Sequence, residues 1–176
     1  MTSKINMRES VRKGRVFDIF IENVTLPNQS TVDFEIIRHP GAAAIVALTE
    51  AQRLLMLKQY RHAIGDYLWE IPAGTLEKAE DVLTCARREL VEETGFRARS
   101  WQTLGEIVPV PGYSDERIHL FMARDLTPAV QQLDRDEVIE VHQLPLEEVF
   151  NMVSSGQIID AKTICGVSLA RQRLSG

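Results

Sequence analysis

Four glutamates fall at fixed offsets in the stretch Gly74–Phe96, GTLEKAEDVLTCARRELVEETGF: Glu80, Glu89, Glu92 and Glu93. The segment reads as a loop, a helix from about Asp81 to Thr94, and a glycine stop at Gly95. At helical spacing Glu89, Glu92 and Glu93 share an arc of about 100°. Leu83, Ala86 and Leu90 form the neighbouring, core-facing stripe. Like charges three and four residues apart cost a helix a few tenths of a kcal/mol per pair, so stability alone does not select them. Two readings fit: a solvated acidic face relieved by Arg87 and Arg88, or hard oxygen ligands for a divalent cation. The glycines favour the second, because Gly74 lets backbone approach a ligand closely and Gly95 ends the helix just past the acidic face.

The remaining elements must position that helix. At 176 residues the chain is long enough for one domain with a real core and a small appendage. Val16, Ile19, Ile21, Val24 and Leu26, the turn Pro27–Ser30, then Val32, Phe34 and Ile36 predict an N-terminal β-hairpin. His39-Pro40-Gly41 marks a boundary, giving an N-terminal β subdomain over residues 1–40 and a main domain over 41–176. Apolar runs 42–48 and 54–57, then Leu68–Ile71, Trp101–Val108, Ile118–Met122 and Val138–Val141, read as strands. Helices are expected from Pro145 to Val153 and, capped by Asp160, from Ala161 to Leu174. Interleaved strands and helices predict an α/β fold with a mixed sheet between helices.

A formal charge of −5 with no basic run argues against nucleic acid as the main ligand. No apolar run approaches a membrane span, and the polar N-terminus has no signal-peptide core. Cys85 and Cys165 lack metal or redox spacing and suggest free thiols in the cytoplasm. Cys85 reads as a small packing residue rather than a ligand.

Gly74, five residues, Glu80, seven residues, then Arg88-Glu89-Leu90-Val91-Glu92-Glu93-Thr94-Gly95-Phe96 resembles the full Nudix box. The resemblance implies an α/β/α sandwich that binds Mg²⁺, with Mn²⁺ as the alternative, and hydrolyses a nucleoside diphosphate linked to another group. It implies Glu89, Glu92, Glu93 and the Ala73 carbonyl as metal ligands, Glu92 and Arg88 among the catalytic groups, and Glu80 as a holder of the loop or a contact to metal through water.

Outside the box, the chain is similar to the ADP-ribose pyrophosphatase branch. The likeness lies in Pro111, 15 residues beyond Phe96, within PVPGYSDER, in QYR at 59–61 before LWEIPAG at 68–74, in IIDAKT at 158–163, and in Gly14–Phe17. The resemblance implies Arg61 and Glu70 as substrate-binding residues, Glu116 at the terminal ribose or the water, and Phe17 against adenine in a homodimer. The general base is expected from the acidic loop 134–137, with Glu137 first and Asp136 and Glu116 behind it. A solvated charge run is the competing reading of that loop. The expected reaction is cleavage of ADP-ribose to AMP and ribose 5-phosphate. Its rivals are another nucleoside diphosphate sugar such as GDP-mannose, or an ADP-ribose-sensing module without catalysis.

Overall fold

The N-terminal strands form a three-stranded antiparallel sheet in the order β1 (Lys4–Lys13), β2 (Asp18–Thr25), β3 (Thr31–Arg38). The turn expected at Pro27–Ser30 joins β2 to β3, with Gln29 left-handed at φ 71°. The hairpin reading is therefore extended by one strand, since β1 pairs along β2. Every residue of β1 is exposed, including Ile5, Met7 and Val11, which alternate with polar residues along it.

The computed structural model describes residues 2–174. These divide into two compact units: the chain up to Gly41 with Val108–Arg117, and the remainder. In the first unit the inserted loop is laced to β3 by Ile37 N–H to the Tyr113 carbonyl (2.7 Å) and Asp115 N–H to the Ile37 carbonyl (3.2 Å). Charge holds the same region. Buried Glu22 accepts from Arg8 Nε and Arg38 Nη2, both at 2.7 Å, and Arg38 Nη1 reaches Asp115 at 3.0 Å.

The second unit runs β4 (Ala42–Ala47), β5 (Arg53–Arg61), β6 (Asp66–Glu70), β7 (Ala73–Thr75), α1 (Val82–Thr94), β8 (Phe96–Ile107), β9 (Ile118–Pro128), β10 (Ile139–Pro145), α2 (Leu146–Ser154) and α3 (Ala161–Leu174). One sheet has the order β7-β4-β9-β8, with β4 and β9 parallel and the other pairs antiparallel. The other is antiparallel in the order β10-β5-β6.

All six residues of β4 are buried, and the strand's period of two sorts them between two cores. Ala43, Ile45 and Ala47 pack with Cys85, Ala86 and Leu90 of α1. Ala42, Ala44 and Val46 pack with Val149, Phe150 and Met152 of α2 and Val167 and Ala170 of α3. Helix, sheet, helix is the layering expected from the sequence. Small residues on β4 let both helices sit close. Gly74, expected in the loop before the helix, lies in β7, opposite Ala43, while α1 starts at Val82, one residue from the expected Asp81. The strand expected over Trp101–Val108 begins earlier, at Phe96, directly after the glycine stop.

Gly166 of α3 faces the sheet where a Cβ would lie 2.9 Å from Ile71 Cδ1 and 3.2 Å from Val46 Cγ2. We expect Gly166→Val to overpack this layer by about 1–3 kcal/mol and lower Tm by roughly 2–12 °C, read by calorimetry. A Tm equal to that of the wild type would show that the layer has slack.

Candidate metal and substrate site

Helix α1 is fixed at both ends, which sets the height of each glutamate. Asp81 caps the start, its side chain accepting from the N–H groups of Leu83 and Thr84 at 3.1 Å each. Gly95 closes the end in the left-handed region (φ 71°), its N–H on the Val91 carbonyl at 2.9 Å. Cys85, Ala86 and Leu90 bury the inner face, and this drags Glu89 and Glu93 inward with them: they are 8% and 2% exposed.

One guanidinium organises the carboxylates. Arg88 Nη1 donates to Glu89 Oε1 at 2.6 Å and to Glu92 Oε2 at 3.0 Å. Its Nε and Nη2 hold Glu80 at 3.0 Å each, and Nη2 also reaches the Thr75 carbonyl at 3.2 Å. Glu80 in turn accepts from Glu77 N–H at 3.0 Å, so it ties the loop before the helix. Glu93 has a different partner: its Oε2 accepts from Ala73 N–H at 2.8 Å.

Arg88 does not neutralise this much charge. Burial pushes the Glu89 carboxyl up to about 7 against the pull of Arg88, with Glu92 and Glu137 adding repulsion. Burial, then the charge of Glu89, pushes Glu93 well above the usual carboxylate range. Burial and the charge of Glu89 likewise raise the Cys85 thiol to about 12, an inert packing group whose Sγ lies 3.6 Å from the Gly74 carbonyl oxygen.

The donor set fits a divalent cation. It is built of hard oxygens, buried and under-neutralised. Gly74 lies hard against Glu89, so that a Cβ there would fall 1.8 Å from Oε1. Among the described residues no three such side chains yet share a common point. Arg88 and the Ala73 N–H occupy them instead.

A second charged group stands at the ends of β5 and β6. Arg61 donates from Nε to Glu70 Oε1 at 2.7 Å and from Nη2 to Oε2 at 2.6 Å. Lys162 Nζ also donates to Glu70 Oε2. Glu70 is 1% exposed with both oxygens engaged, whereas 40% of the Arg61 side chain is open. Burial raises the Glu70 carboxyl, but Arg61 and Lys162 outweigh it and hold the group below its ordinary 4.5. The hydrogen bond to Glu70 raises Arg61, and Glu93 is among the charges acting on it, which places Arg61 in the electrostatic reach of α1.

The acidic loop arrives at the same place. Gln131 Nε2 donates to the Glu93 carbonyl at 2.6 Å, Gln132 N–H to the Glu92 carbonyl at 3.0 Å, and Tyr60 N–H to the Val138 carbonyl at 3.0 Å. Glu137 folds back to accept from Asp134 N–H at 2.8 Å, yet its charge is felt at both Glu89 and Glu93. The main unit thus gathers Ala73, Arg88, Glu89, Glu92, Glu93, Arg61, Glu70 and Glu137. Phe17 and Glu116 belong to the other unit. There Phe17 is 42% exposed and its carbonyl accepts from Gly14 N–H at 3.1 Å, while Glu116 Oε1 lies 3.8 Å from His39 Nδ1. Sequence reasoning missed Lys162 and Gln131. The one available signal was Glu70, a carboxylate in an apolar strand that needs cations nearby.

Comparison with known proteins identifies the family. The model of the NUDIX domain matches residues 38–165. An ADP-ribose pyrophosphatase of Bacillus subtilis is 38% identical over 93% of this chain and 89% of its own. A methanol dehydrogenase activator of Bacillus methanolicus is 39% identical over 90% of this chain and 87% of its own. A crystal structure of an ADP compounds hydrolase, 22% identical, superposes with a TM-score of 0.86 over 100% of this chain and 96% of that one, a likeness of fold. The chain belongs to the Nudix family and is a pyrophosphohydrolase of that family, a group that is generally divalent-metal dependent and acts on nucleoside diphosphate sugars or related substrates. Among the described residues no helix is long and apolar enough to cross a membrane.

The Glu70 cluster makes acid stability testable. A carboxyl held below 4.5 contributes stability that is present above that pH and lost as the pH falls through the folded value. We expect wild-type Tm to fall through this acid range and Glu70→Gln to flatten that dependence. At pH 7 the substitution removes one partner of a buried ion pair and costs about 3–5 kcal/mol. Parallel Tm–pH curves for the two proteins would refute the assignment.

Proposed function

We propose that this chain hydrolyses ADP-ribose to AMP and ribose 5-phosphate with Mg²⁺, Mn²⁺ being the alternative ion. The observation that carries the reading is the buried, under-neutralised pair Glu89 and Glu93 beside the open edge of Arg61. The name of the Bacillus subtilis relative supplies the substrate.

Glu89, Glu92, Glu93 and the Ala73 carbonyl would hold the cation, which when bound would supply charge neutralisation at the diphosphate and activation of a water. Arg88 orients the carboxylates through its bonds to Glu89 and Glu92. Arg61 binds the diphosphate with the guanidinium edge that Glu70 leaves open, so Glu70 serves the substrate through Arg61. Glu137 turns from Asp134 and accepts the proton of the attacking water. Water adds to one phosphorus as the bridging oxygen departs on the other phosphate.

Phe17 packs on the adenine and Glu116 meets the terminal ribose. The N-terminal β subdomain carries dimerisation: Ile5, Met7 and Val11 are exposed on β1, an unpaired edge that a second copy covers. The enzyme acts in the cytoplasm on small nucleotides rather than nucleic acid or membranes.

The test is release of AMP or GMP from a panel of nucleoside diphosphate sugars with Mg²⁺, with chelator as control. ADP-ribose should dominate and the chelator should abolish turnover. A GDP-mannose-dominated profile would overturn the substrate, and ADP-ribose binding without AMP release would favour a sensing module. Glu93→Gln should lower kcat on the order of a hundredfold or more with its circular dichroism unchanged. Near-normal turnover in that variant would remove α1 from the chemistry.

A further inference from the structure

Lys162 lies in the first turn of α3 and closes a ring of polar contacts around the end of β6. Its Nζ donates to Glu70 Oε2 and, at 3.1 Å, to Asp160 Oδ2. Asp160 Oδ2 also accepts from Thr163 N–H at 3.0 Å and Thr163 Oγ1 at 2.6 Å, which caps the helix. Thr163 Oγ1 accepts from Ile71 N–H at 2.9 Å, one residue beyond Glu70.

Docking of α3 onto the strand is already accomplished by the cap, by the Thr163–Ile71 bond, and by the apolar face with Val167 and Ala170. Lys162 is not needed for it. Its side chain is nonetheless 12% exposed, and its charge is directed at a carboxylate that is 1% exposed.

Geometry explains the arrangement. Arg61, Lys162, Glu70 and Asp160 form a network that is neutral in sum, so Lys162 leaves no net charge on Arg61 and acts on it by fixing the carboxylate they share. The third contact on Glu70 stops its carboxylate from rotating. Arg61 Nε and Nη2 are fixed on that carboxylate, and among the described residues Nη1 has no partner. A planar fork held on two donors presents its remaining edge in one direction.

We propose that Lys162 is a positioning residue for diphosphate binding, acting through Glu70 on Arg61. The inference rests on Arg61 being the phosphate contact in the function proposed above.

The test compares wild type, Lys162→Met, Lys162→Arg, Arg61→Lys and the Lys162→Met/Arg61→Lys double variant. Initial rates are measured over a range of ADP-ribose concentrations, with thermal melts alongside. Lys162→Met should raise KM about tenfold with kcat within about threefold of wild type, and Lys162→Arg should recover most of the loss. The double variant should have nearly the KM of Arg61→Lys alone, because both changes disable one interaction. A Lys162→Met KM within about twofold of wild type, or single effects that multiply in the double variant, would overturn the proposal. A lower Tm by itself would mark a structural staple and would also overturn it. If Lys162→Met does not fold, the uncharged polar Lys162→Gln carries the same comparison. Failure of wild type to cleave ADP-ribose would fall on the proposed function instead. The variant-to-wild-type ratio is then taken on whichever nucleoside diphosphate sugar the wild type cleaves, or on the Kd for inorganic pyrophosphate if it cleaves none.

Discussion

Glu93 is a carboxylate at 2% exposure, one helical turn from a second buried carboxylate, Glu89. In an ordinary core this combination is removed, because an ion out of water without a paired charge costs several kcal/mol. Much of the main unit offsets that cost in part. The short strand β7 brings the Ala73 N–H to Glu93, and the absence of a side chain at Gly74 leaves room for the Glu89 carboxylate. Arg88 serves three glutamates at once, and Lys162 lends a distant positive charge to Glu93. The compensation stops short of neutrality, as the raised Glu89 and Glu93 carboxyls record. A bound cation would relieve that shortfall, which is otherwise held at the expense of stability.

The end of α1 does a second job. Its last carbonyls lack helical partners, and the segment after β9 supplies them: Ala129 N–H meets the Gly95 carbonyl at 2.7 Å, followed by Gln131 on Glu93 and Gln132 on Glu92. The acidic loop therefore departs from α1 itself and is caught at its far end by Tyr60, the neighbour of Arg61. The loop is strung between the residue types that would bind cation and diphosphate. Its tip is closed on itself by the paired Asp134 and Glu137 contacts.

Local pattern made α1 legible from sequence. Its cap, its glycine stop and its period all lie within a single stretch, and the glutamate offsets are meaningful only on a helix. β4 was legible as a strand from its unbroken apolar run, though its division between two cores was not. β1 was missed: Ile5, Met7 and Val11 alternate with polar residues, but Glu9 interrupts the row and all ten residues are exposed, so no face is buried. Gly74 was read as loop ahead of the helix rather than as strand, since three residues of β7 are too few to show alternation. The Glu70–Lys162 contact joins positions 92 residues apart, and no local rule links them. Only the physical demand of a buried carboxylate for cations pointed that way, without naming its partner.

The division into two units separates two kinds of selection. The groups suited to metal and phosphate chemistry, which any nucleoside diphosphate sugar would need, sit on elements whose geometry is fixed by the two cores. Phe17 and Glu116, the groups with chemistry for a base or a sugar hydroxyl, lie outside those cores. Their unit is small and carries much of its order in ion pairs, buried Glu22 with Arg8 and Arg38 and Arg38 with Asp115. Substitutions there cost little core packing, whereas a change at Gly74 or Glu93 disturbs the buried carboxylates directly. Under the function proposed above, substrate choice would then be free to change without disturbing α1, and the glutamate pattern of α1 carries no information about which sugar is cleaved.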